Sequence, residues 1–139
     1  MSTPHKQRGN MNNQDYFGED FVGQDLSGKD LSNSSFACGE LRGANLSGVD
    51  ASFASFKFTD LRFAKLVGAD LTGTNLAGAN LVYADLTNAD LTGACLHGAD
   101  LRGASLDGVI VDGAGLNKAR VDRENIGKLK RYFGEVDTE

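Results

Sequence analysis

The sequence predicts an all-β solenoid, and three observations carry that reading. A hydrophobic residue recurs every five positions from Phe21 to Val121, through 21 centres without a slip, 15 of them Leu. Two residues before the centre, from Ala44 to Ala119, the residue is Ala in 12 of 16 cases, the others being Val49, Thr59, Thr74 and Val109. Asp or Asn commonly precedes the centre, and Gly most often stands two residues after it. A repeat this regular marks a stacked architecture in which no unit survives alone.

A period of five suits neither regular element. Five residues advance an α-helix by about 140°, which scatters the centres around its circumference. In a flat strand an odd period sends successive centres to opposite faces. Both conflicts vanish if each pentad is a short extended piece followed by a bend. The centre and the residue two before it then share the inner side, and Gly two after the centre admits the positive φ of a tight turn. Large Leu and small Ala fill a narrow interior together.

Strings such as ADLTG (69–73), ANLSG (44–48), ANLVY (79–83) and ADLRG (99–103) resemble the pentapeptide-repeat family over about residues 19–123. The resemblance implies a right-handed quadrilateral β-helix with four pentads per coil. About five coils follow, each rising ~4.8 Å, for a rod of roughly 25 Å. Arg42, Arg62 and Arg102 recur at multiples of twenty, each two residues after an acid (Glu40, Asp60, Asp100), which hints at the same number. A triangular coil of three pentads is the competitor.

The ends depart from the pattern. Glu19, Gln24, Lys29 and Ser34 stand where Ala is expected. This predicts an open or irregular first coil and a mobile N-terminal segment over 1–18, with the solenoid over 19–121. Beyond it, Asp122 looks like an N-cap, and Ile126, Leu129, Tyr132 and Phe133 recur at helical spacing. A short C-terminal α-helix within 122–139 follows, either a lid over the last coil or, as the resemblance implies for some members, a dimerisation element.

Two outward features invite partners. With four faces, Asp30, Asp50, Asp70 and Asp90 stack into a carboxylate ladder flanked by Ser32, Ser52, Thr72 and Thr92. Close like charges are expected to raise one another's pKa values and attract cations, although Asp is also the repeat's own preference there. Phe53, Phe58, Phe63 and Tyr83 occupy corners where Gly dominates, and exposed clustered aromatics resemble binding surfaces.

Composition closes other doors. The chain of 139 residues fits one domain, and its net charge of −5 with pI near 4.9 argues against direct binding to nucleic acid or an anionic membrane. No apolar run is long enough to span a bilayer and the N-terminus lacks a signal peptide's apolar core, so the expected location is cytoplasmic. Two Cys and two His leave little for a metal site or a disulfide framework, and no GxxxxGK, GxGxxG or HExxH string occurs. Cys95 and His97 share an outer side, but no third group orients them and a solenoid face offers no cleft. Cys38 lies some three coils from Cys95, too far for a disulfide. The expectation is therefore no enzyme, no catalytic residue, no cofactor and no metal.

The leading functional expectation is a non-enzymatic protein–protein interaction or regulatory scaffold, of the bacterial kind that the resemblance implies. The alternative is a DNA-mimicking inhibitor or protector of DNA gyrase or topoisomerase IV, a role known among similar proteins. Between residues 21 and 121 stand eleven acids and eight bases, a net −3, whereas ~25 Å of duplex carries about 15 charges. A monomer or a dimer through the C-terminal helix fits either reading, with a protein as partner and no membrane.

Overall fold

The computed structural model describes residues 10–130 and 137–138. Parallel bridges join residues twenty apart along the whole rod, from Asp15–Ser35 through Asp30–Asp50 and Asn75–Cys95 to Asp100–Arg120. Four pentads therefore close one turn, and the triangular alternative is excluded.

Most pentads account for their five backbone N–H groups in the same way, as a buried chain must. The centre donates to the coil above, Leu26 to Asn45 at 2.8 Å, and so does the residue two after it, Gly28 to Ser47 at 2.9 Å. The residue before the centre donates to the coil below, Asn45 to Gln24 at 2.9 Å. The residue three after the centre closes the turn, as Ala64 does to Leu61 at 3.1 Å. The fifth N–H, one after the centre, goes to the Asp or Asn side chain two residues earlier: Ser27 to Asp25 at 3.0 Å, Ala77 to Asn75 at 3.0 Å, Val82 to Asn80 at 3.1 Å. These Asx turns are why short acids and amides dominate that position.

Every corner from residue 13 to 118 lies in the left-handed region, with φ between 55° and 76°. With the turn-closing hydrogen bond, positive φ at the third residue marks a type II turn. Thirteen corners use Gly; nine do not, and the four aromatics are among them.

The interior is a continuous column of buried Leu and Ala. Towards the N-terminus it turns aromatic: Tyr16, Phe36 and Phe56 stack at centroid distances of 4.9 and 5.3 Å, and Phe21 meets Phe36 edge-on at 5.7 Å.

The rod begins earlier than the boundary at 19 allowed. Met11 and Tyr16 are fully buried centres, and Asp15 bridges Ser35, so residues 10–18 belong to the solenoid. The expected mobility of 1–9 lies outside the described residues. Nor is the first coil irregular. Glu19 and Gln24 keep the standard turn bonds to Tyr16 and Phe21 while half-buried, because a terminal coil has no neighbour beneath and long side chains can leave the interior there. Ser34 is buried and satisfied, donating to the Met11 carbonyl at 2.6 Å and accepting from the Gln14 N–H at 3.2 Å.

At the other end β1 (Arg120–Val121) leads into α1 (Arg123–Lys130), and β2 (Asp137–Thr138) returns to pair with β1 in parallel. The helix leaves the coil path, yet side chains at its start continue the ladder. The Asp122 carboxylate accepts from the Gly103 N–H at 2.6 Å, where a further coil would offer the carbonyl of 122. The Asn125 amide donates to the Ala104 carbonyl at 3.2 Å, where a further coil would offer the N–H of 125. Leu129 is buried and Ile126 packs half-buried against the core, so the described apolar side chains of α1 lie against the last coil. Tyr132 and Phe133 lie outside the described residues.

Candidate functional site: four faces and their corners

The twenty-residue period sorts outward side chains into four flat faces, taken in chain order. The first presents Asp30, Asp50, Asp70, Asp90 and Asp112 and, among the described residues, no basic residue. That equals the net charge of the whole chain, −5, so the remaining described and terminal residues balance. The four predicted ladder acids do stack, bridged in succession. Each also accepts the backbone N–H two residues on, from Ser32, Ser52, Thr72 and Thr92 at 2.9 to 3.1 Å. For Asp30 the expected upward pKa shift is overturned. The Ser32 hydroxyl, then the Ser32 backbone N–H, stabilise the carboxylate and hold it below the usual range, with Asn12 adding a bond.

The second face is nearly uncharged. Its outward positions run Asp15, Phe17, Ser35, Ala37, Ser55, Lys57, Asn75, Ala77, Cys95, His97, Gly115 and Asn117, one acid against one base. A shallow groove of about 600 Å³ lies on it, lined by Lys57, Phe58, Asn75, Ala77, Gly78, Cys95, His97 and Gly98. Phe17, one residue after the buried centre Tyr16, is well exposed on the same face.

The third face carries the acid–arginine pairs. Arg62 grips Asp60 through Nε (2.9 Å) and Nη2 (2.7 Å), and Arg102 grips Asp100 at 2.9 and 2.6 Å. These hydrogen bonds hold both carboxyls below the usual range against the opposing effect of partial burial. A lowered folded-state pKa contributes stability that is complete above the unfolded value and lost as pH falls through the folded one. Thermal melts taken below about pH 4 should therefore show a steeper acid loss for the wild type than for an Asp60→Asn/Asp100→Asn double variant. Equal slopes would mean that the pairs do not stabilise the fold. The fourth face mixes Asp25, Lys65, Asp85 and Asp107, the last paired with Lys128 of α1.

The corner aromatics are exposed by 56 to 65 %. Their rings lean over the glycine one coil above: Phe53 over Gly73, Phe58 over Gly78, Tyr83 over Gly103. Phe63 stacks on Tyr83 at 5.3 Å, so this pair forms a continuous aromatic edge. Beside it, Val82, Tyr83, Arg102, Gly103, Asp122 and Glu124 line a second open groove of about 570 Å³. Phe53 and Phe58 stand on the two edges of the second face, and Lys57 Nζ sits 5.5 Å from the Phe58 ring centre.

Among the described residues no group of three or more His, Cys, Asp or Glu gathers to hold a metal, and Cys38 and Cys95 are both free thiols. No helix among them is long and apolar enough to cross a membrane.

Comparison with known proteins agrees with the geometry. The family model for pentapeptide repeats matches residues 20–50, 54–93, 69–108 and 84–121. A pentapeptide repeat protein of the Arabidopsis thaliana thylakoid lumen is 30% identical, with 81% of this chain and 78% of that one covered and a TM-score of 0.53. The pentapeptide repeat protein Rfr23 of the cyanobacterium Cyanothece 51142 is 33% identical over 71% of this chain, which spans 60% of its length, at a TM-score of 0.49. QnrB1, a plasmid-mediated fluoroquinolone resistance protein, is 20% identical with 84% of each chain covered and a TM-score of 0.33. No curated protein matches the chain.

Proposed function

The chain belongs to the pentapeptide-repeat family, and from that premise we propose a non-enzymatic role: a right-handed rod of about five coils that binds another protein through its corners and faces. The observation that carries this is the set Phe53, Phe58, Phe63 and Tyr83, each bulky, exposed and held at φ of 56° to 61°. A side chain in that region costs on the order of 1–2 kcal/mol relative to glycine. Most corners avoid that cost, and these four accept it while leaving most of each ring in solvent. Strain kept without compensating burial points to contact with something else.

Replacing Phe53, Phe58 and Phe63 together by Gly should leave the melting temperature unchanged or raise it, while abolishing partner capture in side-by-side pull-downs. Capture equal to the wild type's would overturn the proposal. A lower melting temperature would show that the rings act by packing on Gly73, Gly78 and Tyr83 instead.

The first face supports a second reading, as a DNA-mimicking inhibitor or protector of gyrase or topoisomerase IV, because its Asp30, Asp50, Asp70 and Asp90 column has no intervening cation. A gyrase supercoiling assay tests it: inhibition by the wild type, relieved in an Asp50→Asn/Asp70→Asn variant, supports mimicry, and no inhibition ends it.

A further inference from the structure

We propose that Cys95 and His97 are half of a metal site, completed by the same two residues of a second copy, so that a soft divalent ion such as zinc joins two rods through their second faces. The inference does not rest on the corner proposal, although Phe58 lines the same groove and Phe53 stands at the other edge of that face.

The two side chains flank the centre Leu96 and are both exposed in the same groove. Two residues of extended chain span about 6.5 Å, within reach of one ion bound at ~2.3 Å by sulfur and ~2.0 Å by imidazole nitrogen. The residues above and below them in their columns are Asn75 and Gly115 for Cys95, Ala77 and Asn117 for His97. Gly115 has no side chain and Ala77 only a methyl, so an ion held there remains open to solvent on its far side. Cys95 also takes a position whose usual Asp or Asn caps the N–H two residues on, a task a thiol performs weakly.

Two ligands from one chain leave a tetrahedral ion half-coordinated. No other His, Cys, Asp or Glu among the described residues joins them, so the remaining ligands must come from outside the chain. A two-fold axis along or across the rod sets a second Cys95 and His97 opposite the first, giving two sulfurs and two nitrogens, a preferred zinc set. Charge selects this face for the approach: a chain of net −5 repels its copy least where, among the described residues, it shows only Asp15 and Lys57. Size explains why the ion is needed. A face roughly 25 Å long and 10 Å wide buries a few hundred Å² per copy, below the ~800 Å² of a stable interface. Metal binding then displaces the thiol proton to solvent, and no redox step is involved.

The test uses the full chain, stripped of metal with a chelator and titrated with zinc while mass is followed by light scattering. The expected result is a doubling of mass that saturates at one zinc per two chains and reverses with chelator. Cobalt in place of zinc should give a thiolate charge-transfer band and the visible absorption of a tetrahedral ion. Cys95→Ser and His97→Ala should each abolish the doubling with unchanged melting curves, and Cys38→Ser should keep it. A mass that stays at one chain through the titration, a dimer indifferent to chelator, or a doubling retained by Cys95→Ser would each overturn the proposal.

Discussion

Leu71→Lys is expected to abolish cooperative unfolding, leaving a broad, featureless melt where the wild type shows one transition. Leu71 is a centre on the first face, 1% exposed, with Ala51 and Leu91 below and above it in its column. Its burial contributes about 1.5–3 kcal/mol, and an unpaired ammonium in its place adds a desolvation penalty of several kcal/mol. Together these consume most of the ~5–15 kcal/mol margin of a small domain. The architecture aggravates the loss. Each coil is stabilised chiefly by the coils on either side, so a broken fourth coil separates the aromatic N-terminal half from the C-terminal half that carries α1. Thr72→Lys, one residue along and outward, is the control: its bond to Asp70 uses the backbone N–H, which survives the substitution. Circular dichroism melts of both variants decide the matter. A wild-type midpoint for Leu71→Lys would remove the inward assignment of the centres.

The sequence was informative wherever one side chain dictates one geometry. Leu at the centre and Ala two before it declare an interior of fixed width, and Gly two after it declares the bend. The Asp or Asn before the centre was visible as a preference, but its task became clear only with the hydrogen-bond accounting. It supplies the one acceptor that the inter-coil ladder does not. That same bond reverses the expected electrostatics of Asp30, because a hydroxyl and an N–H on the carboxylate outweigh the opposing effect of desolvation.

What escaped the sequence lies where the repeat's physical reasons lapse. In the first coil nothing stacks beneath, so the need for Ala disappears, and Glu19, Gln24 and Lys29 hide a coil that Met11 and Tyr16 in fact begin. At the last coil the backbone departs into α1, and Asp122 and Asn125 complete the ladder with side-chain atoms that no five-residue pattern encodes. The exposed aromatics were legible as exceptions to Gly. Their lean over Gly73, Gly78 and Gly103 was not, since it links residues twenty apart in sequence.

Phe36→Ala should produce the second large effect, a loss of about 3–5 kcal/mol concentrated at the N-terminal end. Phe36 is fully buried between Tyr16 and Phe56, its ring within 14° and 7° of theirs, with Phe21 against its edge. Removing it leaves a cavity that the rigid coils cannot close, and forfeits two stacked contacts and one edge contact worth about 0.5–1.5 kcal/mol each, already part of that total. Amide hydrogen exchange should then quicken in residues 11–40 well before it does near Leu96 or Leu101. Phe58→Gly provides the opposite sign, although Phe58 sits only two residues from buried Phe56 along the same chain. It loses an exposed ring and gains a residue at ease with φ of 56°, so its urea midpoint should hold or rise. Equal destabilisation by the two substitutions would mean that the corner rings belong to the packing of the rod, and the case for a binding edge would fall with that result.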